Sequence, residues 1–197
     1  MMDKSREEIL EKILEDLKET QRVEYKSACS WNEDIFCRDI LAMANVQDGG
    51  YIIVGVRELP DGTFEREGVT EEQKNSFKID IMKDQMNKYA DPYVDFDVKS
   101  YEYKGKTYIV IRVYPFDEIP VICKIDSKTT KKGVIYYRSR NRRPESAPVS
   151  NSYDMKEIIE HAVAKMWQKK RELGFTVESP MMNFSVREKL DEELEGL

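Results

Sequence analysis

The sequence predicts an α+β domain, a mixed β-sheet with helices packed against it, followed by a C-terminal helix and an acidic tail. Three observations predict this architecture. Four stretches repeat apolar residues at helical spacing, while the segments between them alternate apolar with polar residues or run continuously apolar, as strands do. The two patterns are interspersed along the chain, which favours helices layered on one sheet over separate helical and β domains. The 197 residues, 40% of them hydrophobic, suffice for one such domain with its own core.

In chain order, Ser5-Arg6-Glu7-Glu8 has the form of a capping box, and Ile9, Leu10, Ile13, Leu14 and Leu17 continue it as a helix to about Glu19. Arg22 to Lys26 alternates Val23 and Tyr25 with charged residues and reads as a short strand. A second helix spans Glu33 to Val46, turns Ile35, Phe36, Ile40, Leu41 and Ala44 inward, and ends near Gly49-Gly50. Tyr51 to Val56 is a buried strand. Thr70-Glu71-Glu72-Gln73 caps a third helix carrying Phe77, Ile81 and Met82, which Asp91-Pro92 stops. Val94 to Tyr103 and Thr107 to Tyr114 flank Lys104-Gly105-Lys106 and pair as a hairpin. Val121 to Ile125 and Val134 to Ser139 form a second hairpin, with Lys128 to Lys132 at its tip. Asn151 or Ser152 caps a last helix built on Met155, Ile158, Ile159, Ala162, Val163, Met166 and Trp167, and Gly174 ends it. The organisation is therefore a helix over 1–18, a domain over 19–160 whose last helix continues to about 173, and a tail over 175–197.

Composition excludes several classes. The uninterrupted apolar runs, such as Tyr51-Ile52-Ile53-Val54 and Ile40-Leu41-Ala42-Met43-Ala44, are far short of the ~20 residues of a membrane span. The start Met1-Met2-Asp3-Lys4 lacks an apolar signal core, so the expectation is a cytoplasmic protein with no membrane partner. Cys29, Cys37 and Cys123 are odd in number and lack a CxxC spacing, which argues against a disulfide framework and a structural zinc site. His161 is the one histidine, and its flanks read it as a helical packing residue. Any catalysis in one chain would run on carboxylates, lysines, arginines or hydroxyls.

The net charge of -6 conceals an asymmetry. Lys124 to Arg143 holds eight bases against Asp126, a balance of +7, so the remaining 177 residues carry -13. Charge focused in this way steers a polyanion to one face of an otherwise acidic protein. Lys128, Lys131, Lys132, Arg138, Arg140, Arg142 and Arg143 are the candidate nucleic-acid contacts. Tyr136 and Tyr137, adjacent on a strand, face opposite ways and are expected in the core. The apolar stripe from Met155 to Trp167 is expected to be core or a homo-oligomer interface through the C-terminal helix.

Glu24 and Lys26 stand two apart on a strand and so share a face, where an acid and a lysine form the minimum kit of a metal-dependent nuclease. The segment Ala42-Met43-Ala44-Asn45-Val46-Gln47-Asp48-Gly49-Gly50, then Tyr51 to Val54 and Gly55-Val56, adds a helix end, a tight turn and a buried strand. Asn45 has the chemistry to bond backbone groups of the turn, and Gly49-Gly50 permits a sharp reversal. With Glu24-Tyr25-Lys26, this order resembles the Schlafen AlbA-type domain family, whose pattern is Glu-Phe-Lys, Ala-Phe-Ala-Asn-Thr-x-Gly-Gly and Ile-Gly-Val. Gly133 to Arg138 followed by Ala147 is similar to the family's closing segment, so the resemblance covers about residues 19 to 160.

The resemblance implies a nucleic-acid-binding domain, with RNA or DNA as partner. In the branch that cleaves RNA it implies a divalent-metal-dependent endoribonuclease, in which Glu19, Glu24 and Glu58 would hold Mg2+ or Mn2+ and Lys26 would stabilise developing charge. Asp61 competes with Glu58 for the third position, and Arg57 puts a positive charge where the family commonly has an acid. Relatives also imply a non-catalytic DNA-binding or transcription-regulating module and, last, an ATP-binding protein. No GxxxxGK[ST] phosphate loop is present for the last.

Overall fold

A computed structural model describes residues 4–140 and 144–175. Among them the chain forms five helices and ten strands: α1 (Lys4–Asp16), β1 (Val23–Lys26), α2 (Glu33–Ala44), β2 (Gly50–Val54), β3 (Val56–Glu58), β4 (Phe64–Arg66), α3 (Glu71–Ser76), α4 (Ile79–Tyr89), β5 (Ala90–Asp91), β6 (Phe96–Tyr103), β7 (Lys106–Val113), β8 (Ile122–Cys123), β9 (Tyr136–Arg138), β10 (Ser146–Pro148) and α5 (Ser152–Glu172). The fold is the expected α+β arrangement. The chain divides into two units, Met1–Lys165, which holds the sheet, and Met166–Leu197.

The main sheet has the order β1-β2-β7-β6, with β1 parallel to β2 and the other pairs antiparallel. Both of its faces are covered. Ile52, Val54, Ile109, Ile111 and Val113 point toward α2 and α4, where they meet Phe36, Ile40, Leu41, Met82 and Met86. Ile53, Tyr108 and Val110 point the other way and pack with Leu10 and Leu14 of α1. Burial on both faces is why β2 reads as a continuous apolar run. Val23 and Tyr25 join the α1 side, so the period of two turns Glu24 and Lys26 toward α2 at the β1 edge.

Three local expectations are corrected. The third helix is two helices, broken at Phe77 and Lys78. The Ser76 hydroxyl bonds the Gln73 carbonyl and accepts from the Trp31 amide, and Phe77 leaves the helix to pack edge-on against Trp31 and Phe36. The predicted capping box is present at Thr70 and Gln73. The second hairpin forms only in part: the Cys123 amide donates to the Val134 carbonyl at 2.9 Å and the Gly133 amide to the Cys123 carbonyl at 2.8 Å, while β8 pairs with β5, and β9 with β10. Asn45 bridges the two segments beyond these bonds. Its amide nitrogen donates to the Val121 and Tyr136 carbonyls, each at 3.0 Å, and its oxygen accepts from the Val121 amide at 2.7 Å. That side chain links the Val121 and Tyr136 segments, so its partners are these segments and not the glycine turn. Lastly, β3 and β4 form an unpredicted hairpin.

The Gly49-Gly50 turn joins α2 to β2 under tight constraint. Gly49 has φ of +67°, and a Cβ there would lie 2.1 Å from the Val113 carbonyl oxygen; at Gly50 it would lie 2.6 Å from Met43 Sδ. Close approach therefore demands glycine at both positions. The three cysteines are free thiols. Among the described residues no helix is long and apolar enough to cross a membrane.

Candidate functional site

At the β1 edge, Lys26 Nζ donates to Glu24 Oε1 at 2.6 Å and to Asp39 Oδ2 of α2 at 2.8 Å. Glu24 Oε2 accepts from Arg138 Nη1 at 2.7 Å. Arg138 is entirely buried, and its other donors reach the carbonyls of Thr20, Gln21 and Val23 and the Ser146 hydroxyl. Gln21 returns a bond to the Arg138 carbonyl at 2.7 Å, which ties β9 to the start of β1. Two cations and two carboxylates thus form one network, buried at Arg138 and Asp39 and partly exposed at Glu24 and Lys26, where geometry compensates the cost of desolvating charge. Burial would lower the Lys26 pKa, but Asp39 and Glu24 outweigh it and hold the ammonium above its ordinary range.

Glu19 lies beside this network, and among the described residues no ion pair engages it. Its Oε1 accepts a long bond from the Tyr25 amide at 3.3 Å. Burial, then the neighbouring negative charge of Glu24, pushes the Glu19 carboxyl up to about 7, against the Tyr25 amide and Arg138. Glu19, Glu24, Lys26, Arg38, Asp39 and Glu58 all line one cavity of about 460 Å³. Among the described residues no three His, Cys, Asp or Glu side chains form a group that could hold a metal ion.

The expected site residues separate into distinct fates. Glu19, Glu24, Lys26 and Glu58 meet at this cavity, and Glu58 is the exposed one of these four. Asp61 does not line it; its carboxylate accepts from the Thr63 amide and hydroxyl at 2.9 and 2.6 Å within a turn. Arg57 turns to Glu65 and Glu67, so its charge is neutralised across the β3–β4 hairpin. Lys128, Lys131 and Lys132 are exposed on the loop after β8, and Arg140 is exposed but donates to Gln21 at 2.8 Å. Arg138 corrects the expectation of a phosphate contact: a fully buried guanidinium bonded to Glu24 holds the core of the site together. Arg142 and Arg143 lie outside the described residues. Tyr136 and Tyr137 are both buried, as expected.

Asp39 and Arg38 were not singled out by the sequence. A legible signal existed for Asp39, an acid placed between Phe36, Ile40 and Met43 on the apolar face of α2, since a core position takes a charge only when it is paired.

A sequence profile of the Schlafen, AlbA_2 family matches residues 19–145. The chain belongs to the Schlafen AlbA_2 family. Membership ties this domain to nucleic-acid-related function. Among solved structures, the DIP2311 protein from Corynebacterium diphtheriae is similar at 18% identity with a TM-score of 0.51, over 79% of this chain and 29% of that one. The chain thus spans under a third of that protein's length, and the likeness is one of fold. The N-terminal domain of an ATP-dependent DNA helicase RecG-related protein from Nitrosomonas europaea is 21% identical with a TM-score of 0.47, over 62% of this chain and 83% of that one. No curated protein matches.

Proposed function

We propose that this AlbA_2 domain binds nucleic acid by its phosphate backbone on the lysine loop between β8 and β9. The observation that carries the reading is that Lys128, Lys131 and Lys132 are exposed on a loop whose backbone is pinned, within a protein acidic elsewhere. The Lys131 amide donates to the Tyr136 hydroxyl at 2.8 Å, the Lys132 amide to Asp126 at 3.2 Å, and the Thr129 hydroxyl to the Asp34 carbonyl at 3.0 Å. A fixed backbone with exposed ammonium groups, of which Lys128 stands 3.9 Å from Asp34, suits contacts that position a strand without reading its bases.

Metal-dependent cleavage of RNA at Glu19, Glu24 and Glu58, with Mg2+ or Mn2+, is a second reading favoured by one observation. The raised Glu19 carboxyl, half-buried beside a like charge, is stabilised by a proton or by a cation. The resting arrangement does not fit a three-ligand ion, because Glu24 is committed to Lys26 and Arg138. The binding module is therefore the better supported function.

The test measures binding of labelled RNA and DNA across a salt series, and incubates both with Mn2+, Mg2+ or EDTA. We expect affinity to fall with salt by about 0.7 log unit per log unit of salt for each phosphate contact on single strands. Lys128→Ala, Lys131→Ala and Lys132→Ala combined should flatten that slope. Binding that ignores salt would overturn the reading. Metal-dependent cleavage lost in both Glu24→Gln and Glu58→Gln would establish the nuclease instead.

A further inference from the structure

Arg38 sits where the lysine loop and the carboxylate cavity adjoin. It is half-buried on α2 and lines the cavity with Glu19, Glu24, Asp39 and Glu58. The other cations of the site among the described residues are committed: Lys26 is held by Glu24 and Asp39, and Arg138 by Glu24 and backbone carbonyls. Among the described residues, no hydrogen bond or ion pair engages the Arg38 guanidinium, although carboxylates line the same cavity. On the other side, α2 is tied to the lysine loop at the neighbouring residue, where Cys37 Sγ lies 3.4 Å from the Thr129 hydroxyl, and one turn earlier, where that hydroxyl donates to the Asp34 carbonyl at 3.0 Å.

A strand held at Lys131 and Lys132 that enters this cavity comes to a lining rich in carboxylates. The surrounding carboxylates repel phosphate, so continuation requires a cation with uncommitted donors at the boundary. A guanidinium offers two parallel N–H groups to two phosphate oxygens, a geometry that an ammonium lacks. We infer that Arg38 receives a backbone phosphate and carries a bound nucleic-acid strand from the lysine loop to the rim of the carboxylate cavity. This rests on the phosphate-binding reading and assigns the path that the strand takes.

The experiment uses the full chain and labelled single-stranded RNA and DNA oligonucleotides, with anisotropy read across a KCl series. Arg38→Ala and Arg38→Gln should each weaken binding several-fold and reduce the salt slope by about 0.7, the loss of one contact. Arg38→Lys should keep the slope and recover part of the affinity. Thermal melting run in parallel identifies folded variants, and glutamine preserves most of the side chain's packing should alanine fail to fold. If both folded variants match wild type in affinity and slope while the triple lysine variant is weakened, the path is overturned and phosphate binding stands. If wild type itself shows no salt-dependent binding to either oligonucleotide, both fall together.

Discussion

Arg138 Nη1 donates to Glu24 Oε2 at 2.7 Å, joining a fully buried guanidinium on β9 to the central carboxylate of β1. The two residues are 114 positions apart, so the site exists only once the sheet and the closing segment have both formed.

Breaking this pair should therefore damage stability. Arg138→Ala leaves Glu24 short of its buried partner and strands several backbone carbonyls, a loss of about 3 to 5 kcal/mol. Urea denaturation should show the midpoint falling sharply. A surface phosphate contact would instead cost about 0.5 kcal/mol or less, and that result would refute the structural role.

Glu19 makes stability depend on pH with a definite sign. Its carboxyl titrates near 7 when folded, against an ordinary value of 4.5, so between these pH values the native state holds the extra proton. Its contribution is fully present below about 4.5 and is lost as pH rises through 7. Glu19→Gln should remove that decline. A wild-type slope retained in the variant would assign the effect to another group.

Asp39 governs the ionisation of Lys26. Asp39→Ala removes the larger of two opposing charges, so burial should then bring the ammonium pKa down. Lysine side-chain NMR across alkaline pH should record the fall. An unchanged titration would mean that Glu24 alone sustains the charge.

The α2–β2 turn should resist any side chain. Gly50→Val meets Met43 and the Arg22 carbonyl, and Gly49→Ala meets the Val113 carbonyl in a backbone region hostile to L-residues. Each should lower stability by about 1 to 3 kcal/mol. Wild-type stability with lost nucleic-acid binding would place the turn in direct contact with the ligand.

Periodicity and turn chemistry alone determined the helices on Leu10 and Leu14, on Phe36 and Ile40, and on Ile158, together with the Lys104-Gly105-Lys106 hairpin. The family motif, read as Glu24-Tyr25-Lys26 with the Asn45 to Val56 segment, also stood in the sequence, as did the candidates Glu19 and Glu58. These features depend on neighbours a few residues away, and local spacing encodes them. Tertiary structure decided the rest. It turned Arg138 from a member of a basic run into a buried clamp, drew Asp39 to Lys26, and left Arg38 without a partner among the described residues. It also made Asn45 the bridge between the Val121 and Tyr136 segments, whose strands β8 and β9 take β5 and β10 as partners. Whether a charge is spent or available depends on which distant groups enclose it, because burial and partner geometry, not residue type, set the cost of leaving it unpaired.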